Sequence, residues 1–271
     1  MQDTEMKKAA VDDIEVACKS WGEGEPLLLL MGLSGTLDLW EPRVLERLSS
    51  AYRVVVFDFR GMGETTTGTK EFTIAQFAED TVGLMKALGI ERAHILGWSM
   101  GGDVALQLAV AFPERVDKLV VYAGDCGGEE RVITQEVIDE VRKLADPEVP
   151  PWDFFGILFP PKWMEENTDF IKTFPIPQEQ SSYENIRMQG EAYLKWEGCY
   201  GRLKDIARPT LVITGTEDIS TPYGNAIILA NAIPASWLMR FEGAGHGLMY
   251  QYPDEFSQVV MDFLKLSKVK S

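Results

Sequence analysis

The pentapeptide Gly97-Trp98-Ser99-Met100-Gly101 puts a hydroxyl nucleophile in a setting that could make it reactive. The apolar run Ala93–Gly97 reads as a strand and the stretch from Gly101 towards Phe112 as a helix, so Ser99 falls at the turn between them. Such a sharp turn strains the serine backbone and crowds the positions two before and two after it, which must be small. Gly97, Gly101 and Gly102 meet that requirement. The turn also holds the hydroxyl over the N-terminal N–H groups of the helix, where developing negative charge is favoured. The competing reading is a glycine-rich turn that only packs helix on strand.

A serine needs an adjacent base, and the chain has two histidines. His94 lies on the strand that leads to Ser99, roughly 16 Å away at about 3.3 Å per residue, and reads as a packed or hydrogen-bonded core residue. His246 sits in Glu242-Gly243-Ala244-Gly245-His246-Gly247, after the last predicted strand. Glycines on both sides let that loop fold over the carboxyl edge of a sheet, where Ser99 should also project. The imidazole needs an acceptor to fix its tautomer. Asp218, after the penultimate strand, is the first choice, with Asp125 and Glu217 as rivals. An oxyanion needs N–H donors. Met100, after the nucleophile, and Leu33, in Met31-Gly32-Leu33-Ser34-Gly35-Thr36, are the candidates.

These positions must be carried by a sheet. Strand candidates are Leu27–Met31, Arg53–Asp58, Ala93–Gly97, Lys118–Ala123, Thr210–Thr214 and Trp237–Phe241, mostly continuous apolar runs of the kind covered on both faces. Ile14, Val16 and Cys18 alternate with polar residues and predict a half-exposed edge strand. Helical faces are formed by Trp40, Val44, Leu45 and Leu48, by Ile74, Phe77, Val82, Met85 and Leu88, and by Phe256, Val259, Val260, Phe263 and Leu264, the last before a basic tail. Thr73 with Gln76 forms a capping-box pair, and Thr221-Pro222 reads as an N-cap and first-turn proline. This alternation predicts an α/β fold, a mostly parallel sheet with helices on both faces, over 1–128 and 204–271. Between them, 129–203 shows no strand pattern and holds seven of the fourteen prolines and many aromatics, so it reads as a packed, mainly helical insertion. Trp152, Trp163 and Trp196 are assigned to its own core, and Trp98 to packing beneath it or contact with substrate.

Composition narrows the partners. A net charge of −16 opposes binding to nucleic acid or anionic lipid. No apolar run approaches the roughly 20 residues of a membrane span, and the first residues lack a signal-peptide core. Three widely spaced cysteines argue for a reducing, cytoplasmic setting, and two histidines without Cys-x-x-Cys leave no recognisable metal site. No cofactor is expected, and the sequence sets no oligomeric state.

The order Gly-x-Ser-x-Gly, Asp218, His246, with an insertion between, resembles the α/β-hydrolase superfamily. Asp58-Phe59-Arg60-Gly61-Met62-Gly63 is similar to a turn common there, and Phe112-Pro113-Glu114-Arg115-Val116 to the stretch after the nucleophile helix. The resemblance implies a Ser99–His246–Asp218 triad, 129–203 as a cap, and a carboxylic ester or lactone, such as an acyl homoserine lactone, as substrate. It also admits perhydrolase, haloperoxidase or carbon–carbon hydrolase chemistry, and a non-catalytic receptor for small molecules. Many members carry His-Gly where this chain has Met31-Gly32. Enol-lactonases and some esterases share that departure, which favours ester or lactone chemistry.

Overall fold

The computed structural model describes residues 4–149, 154–234 and 236–266. Its eight strands are β1 (Lys7–Val11), β2 (Ile14–Trp21), β3 (Pro26–Leu30), β4 (Arg53–Phe57), β5 (Ala93–Trp98), β6 (Val116–Tyr122), β7 (Thr210–Gly215) and β8 (Ser236–Phe241). They form one sheet in the order β1-β2-β4-β3-β5-β6-β7-β8. The pairs β1–β2 and β2–β4 are antiparallel and all others parallel. The expected mostly parallel α/β sheet is therefore present.

Helices α1 (Pro42–Ser49), α2 (Ile74–Ala87) and α3 (Met100–Ala111) connect the first parallel strands. Between β6 and β7 lie α4 (Gln135–Lys143), α5 (Phe155–Leu158), α6 (Pro161–Glu166) and α7 (Tyr183–Leu194), with short 3₁₀ segments at Phe170–Lys172 and Tyr200–Asp205. Then follow α8 (Tyr223–Ala232), α9 (Leu248–Gln251) and α10 (Pro253–Lys265). Strand periodicity sorts the core into two layers. Leu28 and Leu30 of β3 belong to the core layer that includes residues of α2, α3 and α8, whereas Leu27 and Leu29 belong to the layer that includes α1 and α10. Successive side chains point to opposite faces, so a strand apolar at every position needs helices on both sides.

Several expectations are corrected. Residues Ile14–Trp21 do form a strand, but not at the edge: β1 covers it, with Val11 opposite Ile14. The hairpin turn at Asp12-Asp13 is too short to stand out beside two charged residues, and β1 offers little apolar signal because most of it is exposed. At the other edge β8 is not buried, and Trp237, Leu238 and Met239 are exposed. Trp40 precedes α1 rather than lying on it. Only half of the capping box forms: Thr73 Oγ1 accepts from the Gln76 N–H at 2.9 Å, while Gln76 Nε2 donates to Asp80 instead. The N-cap of α8 is Pro222, not Thr221, whose hydroxyl is engaged elsewhere.

The Asp58–Gly63 turn braces the loop that follows β3. The Asp58 carboxylate accepts from the Leu37 N–H at 2.7 Å and the Glu64 N–H at 3.1 Å. Burial raises its pKa to about 6, against the pull of those two bonds. Trp163 belongs to an aromatic cluster with Phe159 and Phe170, and Trp196 lies against Gly127. Trp152 and the basic tail after Leu266 lie outside the described residues. Among the described residues, no helix is long and apolar enough to cross a membrane.

Candidate active site

Ser99 occupies the turn from β5 into α3 with φ 55° and ψ −128°. This is a conformation that L-residues adopt only when the surroundings enforce it. The enforcement is backbone packing. A Cβ on Gly97 would lie 2.1 Å from the Gly101 carbonyl oxygen, and one on Gly101 would lie 2.1 Å from that of Leu30. Both glycines are required by space. The Ser99 N–H is held by the Tyr122 carbonyl at 2.9 Å, so β6 fixes the turn from the other side.

His246 reaches the same place from the far end of the chain. Its carbonyl accepts the Trp98 indole N–H at 3.2 Å and the Tyr122 hydroxyl at 2.5 Å. Trp98 stacks on Tyr122 with planes 9° apart and packs against the His246 ring. Trp98 thus ties the histidine loop to the strand that bears the serine, besides lining the cavity described below. Sequence reasoning did not see that second role, because nothing in the order of residues brings 98 next to 246.

The His246 Nδ1 lies 2.9 Å from Asp218 Oδ2, and the Asp218 side chain is fully buried. Asp218 Oδ1 accepts the N–H groups of Ser220 and Thr221, each at 2.9 Å. The Thr221 hydroxyl lies 2.9 Å from Asp218 Oδ2, 2.9 Å from the Ala123 carbonyl and 3.4 Å from His246 Nδ1. Thr221 is the site residue missed by sequence reading. The signal was the turn itself: an aspartate bonding the amides two and three residues on brings the third residue's side chain back beside it.

Asp125, the rival acceptor, points elsewhere. Its carboxylate takes the Gly127 N–H at 2.7 Å and the Tyr193 hydroxyl at 3.1 Å. It is buried beside Asp103, whose Oδ1 accepts the Asp125 N–H at 2.9 Å. Burial pushes both carboxyls above the usual carboxylate range. His94 stands near the amino end of β5, with Nε2 3.3 Å from Glu25 and Nδ1 3.9 Å from Asp117. Burial lowers its pKa, against the pull of Glu25 and Asp117. These three residues are the group of potential metal donors found among the described residues, and they lie at the opposite edge of the sheet from Ser99.

The loop after β3 passes directly over the serine: a Cβ on Gly32 would be 3.3 Å from Ser99 Cβ. Leu33 is the next residue. Met100 is the first residue of α3, where the N–H has no carbonyl one turn earlier to bind. Ser99, Leu33, Met100, Trp98 and His246 all line one cavity of about 100 Å³. Most of its other walls are apolar, including Val137, Leu144, Phe154, Leu158 and Phe174.

This fold and this site define a class. The alpha/beta hydrolase fold family matches residues 25–253, and the chain belongs to that family. Among curated relatives, a protein from Caulobacter sp. (strain K31) named "Putative carbamate hydrolase RutD" is 30% identical, over 96% of this chain and 98% of that one. A hydrolase from Pseudomonas aeruginosa PA01 superimposes with a TM-score of 0.84 at 26% identity, covering 97% and 99% of the two chains. The enol-lactonase from Burkholderia xenovorans LB400 follows with a TM-score of 0.82 at 25% identity, covering 96% and 100%.

Proposed function

We propose that the protein is a serine hydrolase of carboxylic esters or lactones, with Ser99 as nucleophile, His246 as base and Asp218 as its orienting acid. The observation that carries this reading is the meeting of a strained, glycine-enforced Ser99 and an aspartate-bound His246 on the wall of one largely apolar cavity. In the proposed cycle His246 removes the Ser99 proton as Oγ attacks the carbonyl carbon. The N–H groups of Leu33 and Met100 receive the oxyanion. Collapse expels the alkoxide, which takes the proton from His246, and leaves an acyl-enzyme. Water, deprotonated by His246, then releases the acid. The helical segment between β6 and β7 acts as a cap that keeps bulk water out. No cofactor takes part.

Cavity size and polarity support a short acyl group. An engineered apolar cavity of ~150 Å³ holds benzene, so the present cavity of about 100 Å³ suits a few carbons. A carbamate is a second reading, favoured by the name of the Caulobacter relative. The same attack on a carbonyl would serve it, but an apolar wall that also includes Glu140 is a poor host for a small anionic carbamate. The test is proton release with p-nitrophenyl esters, a lactone panel and carbamates, run on wild type and Ser99→Ala. Ester or lactone turnover that vanishes in Ser99→Ala is the expected result. Equal rates in the two proteins would refute the mechanism, and turnover of carbamates alone would replace the substrate.

A further inference from the structure

Helix α7 carries three polar side chains at four-residue spacing, Asn185, Gln189 and Tyr193, which places them on one face. Each meets a different part of the sheet domain. Asn185 Nδ2 donates to the Gly61 carbonyl at 2.9 Å and to Thr67 Oγ1 at 3.1 Å. The Tyr193 hydroxyl donates to Asp125 at 3.1 Å. Between them Gln189, fully buried, accepts the Ser34 N–H at 2.7 Å. Ser34 immediately follows Leu33 in the loop over Ser99 and has φ 60°. A donor N–H requires the amide oxygen to face Ser34, so the side chain cannot be flipped without losing the bond. Gln189 Nε2 is buried with no partner among the described residues. A buried amide in this state is held for what its oxygen does.

We propose that Gln189 is a positioning residue that sets the oxyanion loop from the inserted helical segment. This rests on the serine-hydrolase reading above. Gln189 holds the Leu33–Ser34 peptide by its N–H, with Ser34 in the left-handed region, and so constrains Leu33, whose own N–H belongs to the adjoining Gly32–Leu33 peptide. Asn185 and Tyr193 anchor α7 on either side, so removing the Gln189 acceptor frees the loop without freeing the helix.

The experiment compares wild type, Gln189→Met, which keeps the volume and removes the acceptor, and Gln189→Glu, which restores an acceptor oxygen. p-Nitrophenyl butyrate kinetics and amide hydrogen exchange at Ser34 are read on each protein. Gln189→Met should lose at least about tenfold in kcat, a fraction of what deleting an oxyanion donor costs, with KM within threefold and faster Ser34 exchange. Gln189→Glu should recover most of both. Gln189→Ala gives the same comparison if the Met variant does not fold. Wild-type kcat in the Met or Ala variant, unchanged Ser34 exchange, or equal losses in the Met and Glu variants would each overturn the proposal. Wild-type protein without Ser99-dependent turnover would instead overturn the reading of the site, and Ser34 exchange alone would then decide whether Gln189 holds the loop.

Discussion

Replacing Asp218 by asparagine tests the site with little change in shape, and the structure dictates how the amide must sit. Two backbone N–H groups, of Ser220 and Thr221, converge on Oδ1 at 2.9 Å. The amide oxygen must take that position, because an NH2 group there would face two donors. The NH2 group therefore occupies the Oδ2 position, which lies 2.9 Å from His246 Nδ1 in the native site, and points at that nitrogen. Nδ1 is forced to accept, and the imidazole proton moves to Nε2. A protonated Nε2 cannot take the proton of Ser99. The same exchange in a serine protease triad costs about 10⁴ in kcat, which at about 1.4 kcal/mol per tenfold is a barrier increase of about 5 kcal/mol. Packing should survive, since the NH2 group can donate to Thr221 Oγ1 while that hydroxyl turns to the Ala123 carbonyl at 2.9 Å. The assay is p-nitrophenyl ester turnover with thermal unfolding as the control, and 15N shifts of the imidazole to read the tautomer. A folded Asp218→Asn protein with kcat within tenfold of wild type would refute the assignment of Asp218 and the tautomer argument together.

Other outcomes follow from single sites. Gly97→Ala puts a methyl 2.1 Å from the Gly101 carbonyl oxygen, so the turn must shift; thermal unfolding should show a loss of about 3 kcal/mol, roughly 6–12 °C. Asp58 has its pKa raised from 3.8 to about 6 by burial. Between these values the folded state keeps a proton that the unfolded state has lost, so stability falls as pH rises through that window, by about 3 kcal/mol at about 1.4 kcal/mol per unit. Urea titrations from pH 3.5 to 7 should show that decline in the difference between wild type and Asp58→Asn, since the raised carboxyls of Asp103 and Asp125 contribute to both proteins alike; a flat difference curve would contradict it. Cys18, Cys126 and Cys199 are buried free thiols. Burial raises the pKa of each, that of Cys126 to about 12. An aromatic disulfide reagent at pH 8 should titrate none in native protein and three after denaturation; rapid native labelling of any one would show that its site opens.

Much of the architecture is legible along the chain because its causes are local. Short, β-branched or leucine-rich runs such as Leu27–Leu30 and Val54–Phe57 read as strands covered on both faces, and the glycines around Ser99 announce a tight turn. The order of strand ends also puts 99, 218 and 246 along one edge of a parallel sheet, since every parallel strand delivers its carboxyl end to the same side. Tertiary structure alone decided the rest. β1 exists because β2 lends it partners. Choosing between Asp218 and Asp125 took the positions of Tyr193 and Gly127, which claim Asp125. Thr221 left the helix cap for the aspartate, and Trp98 turned its indole N–H to the His246 carbonyl 148 residues away. Gln189 met Ser34 across 155 residues. Composition and periodicity record how a segment pairs with solvent or core; which buried polar groups meet is a property of packing between distant segments, and no local pattern encodes it.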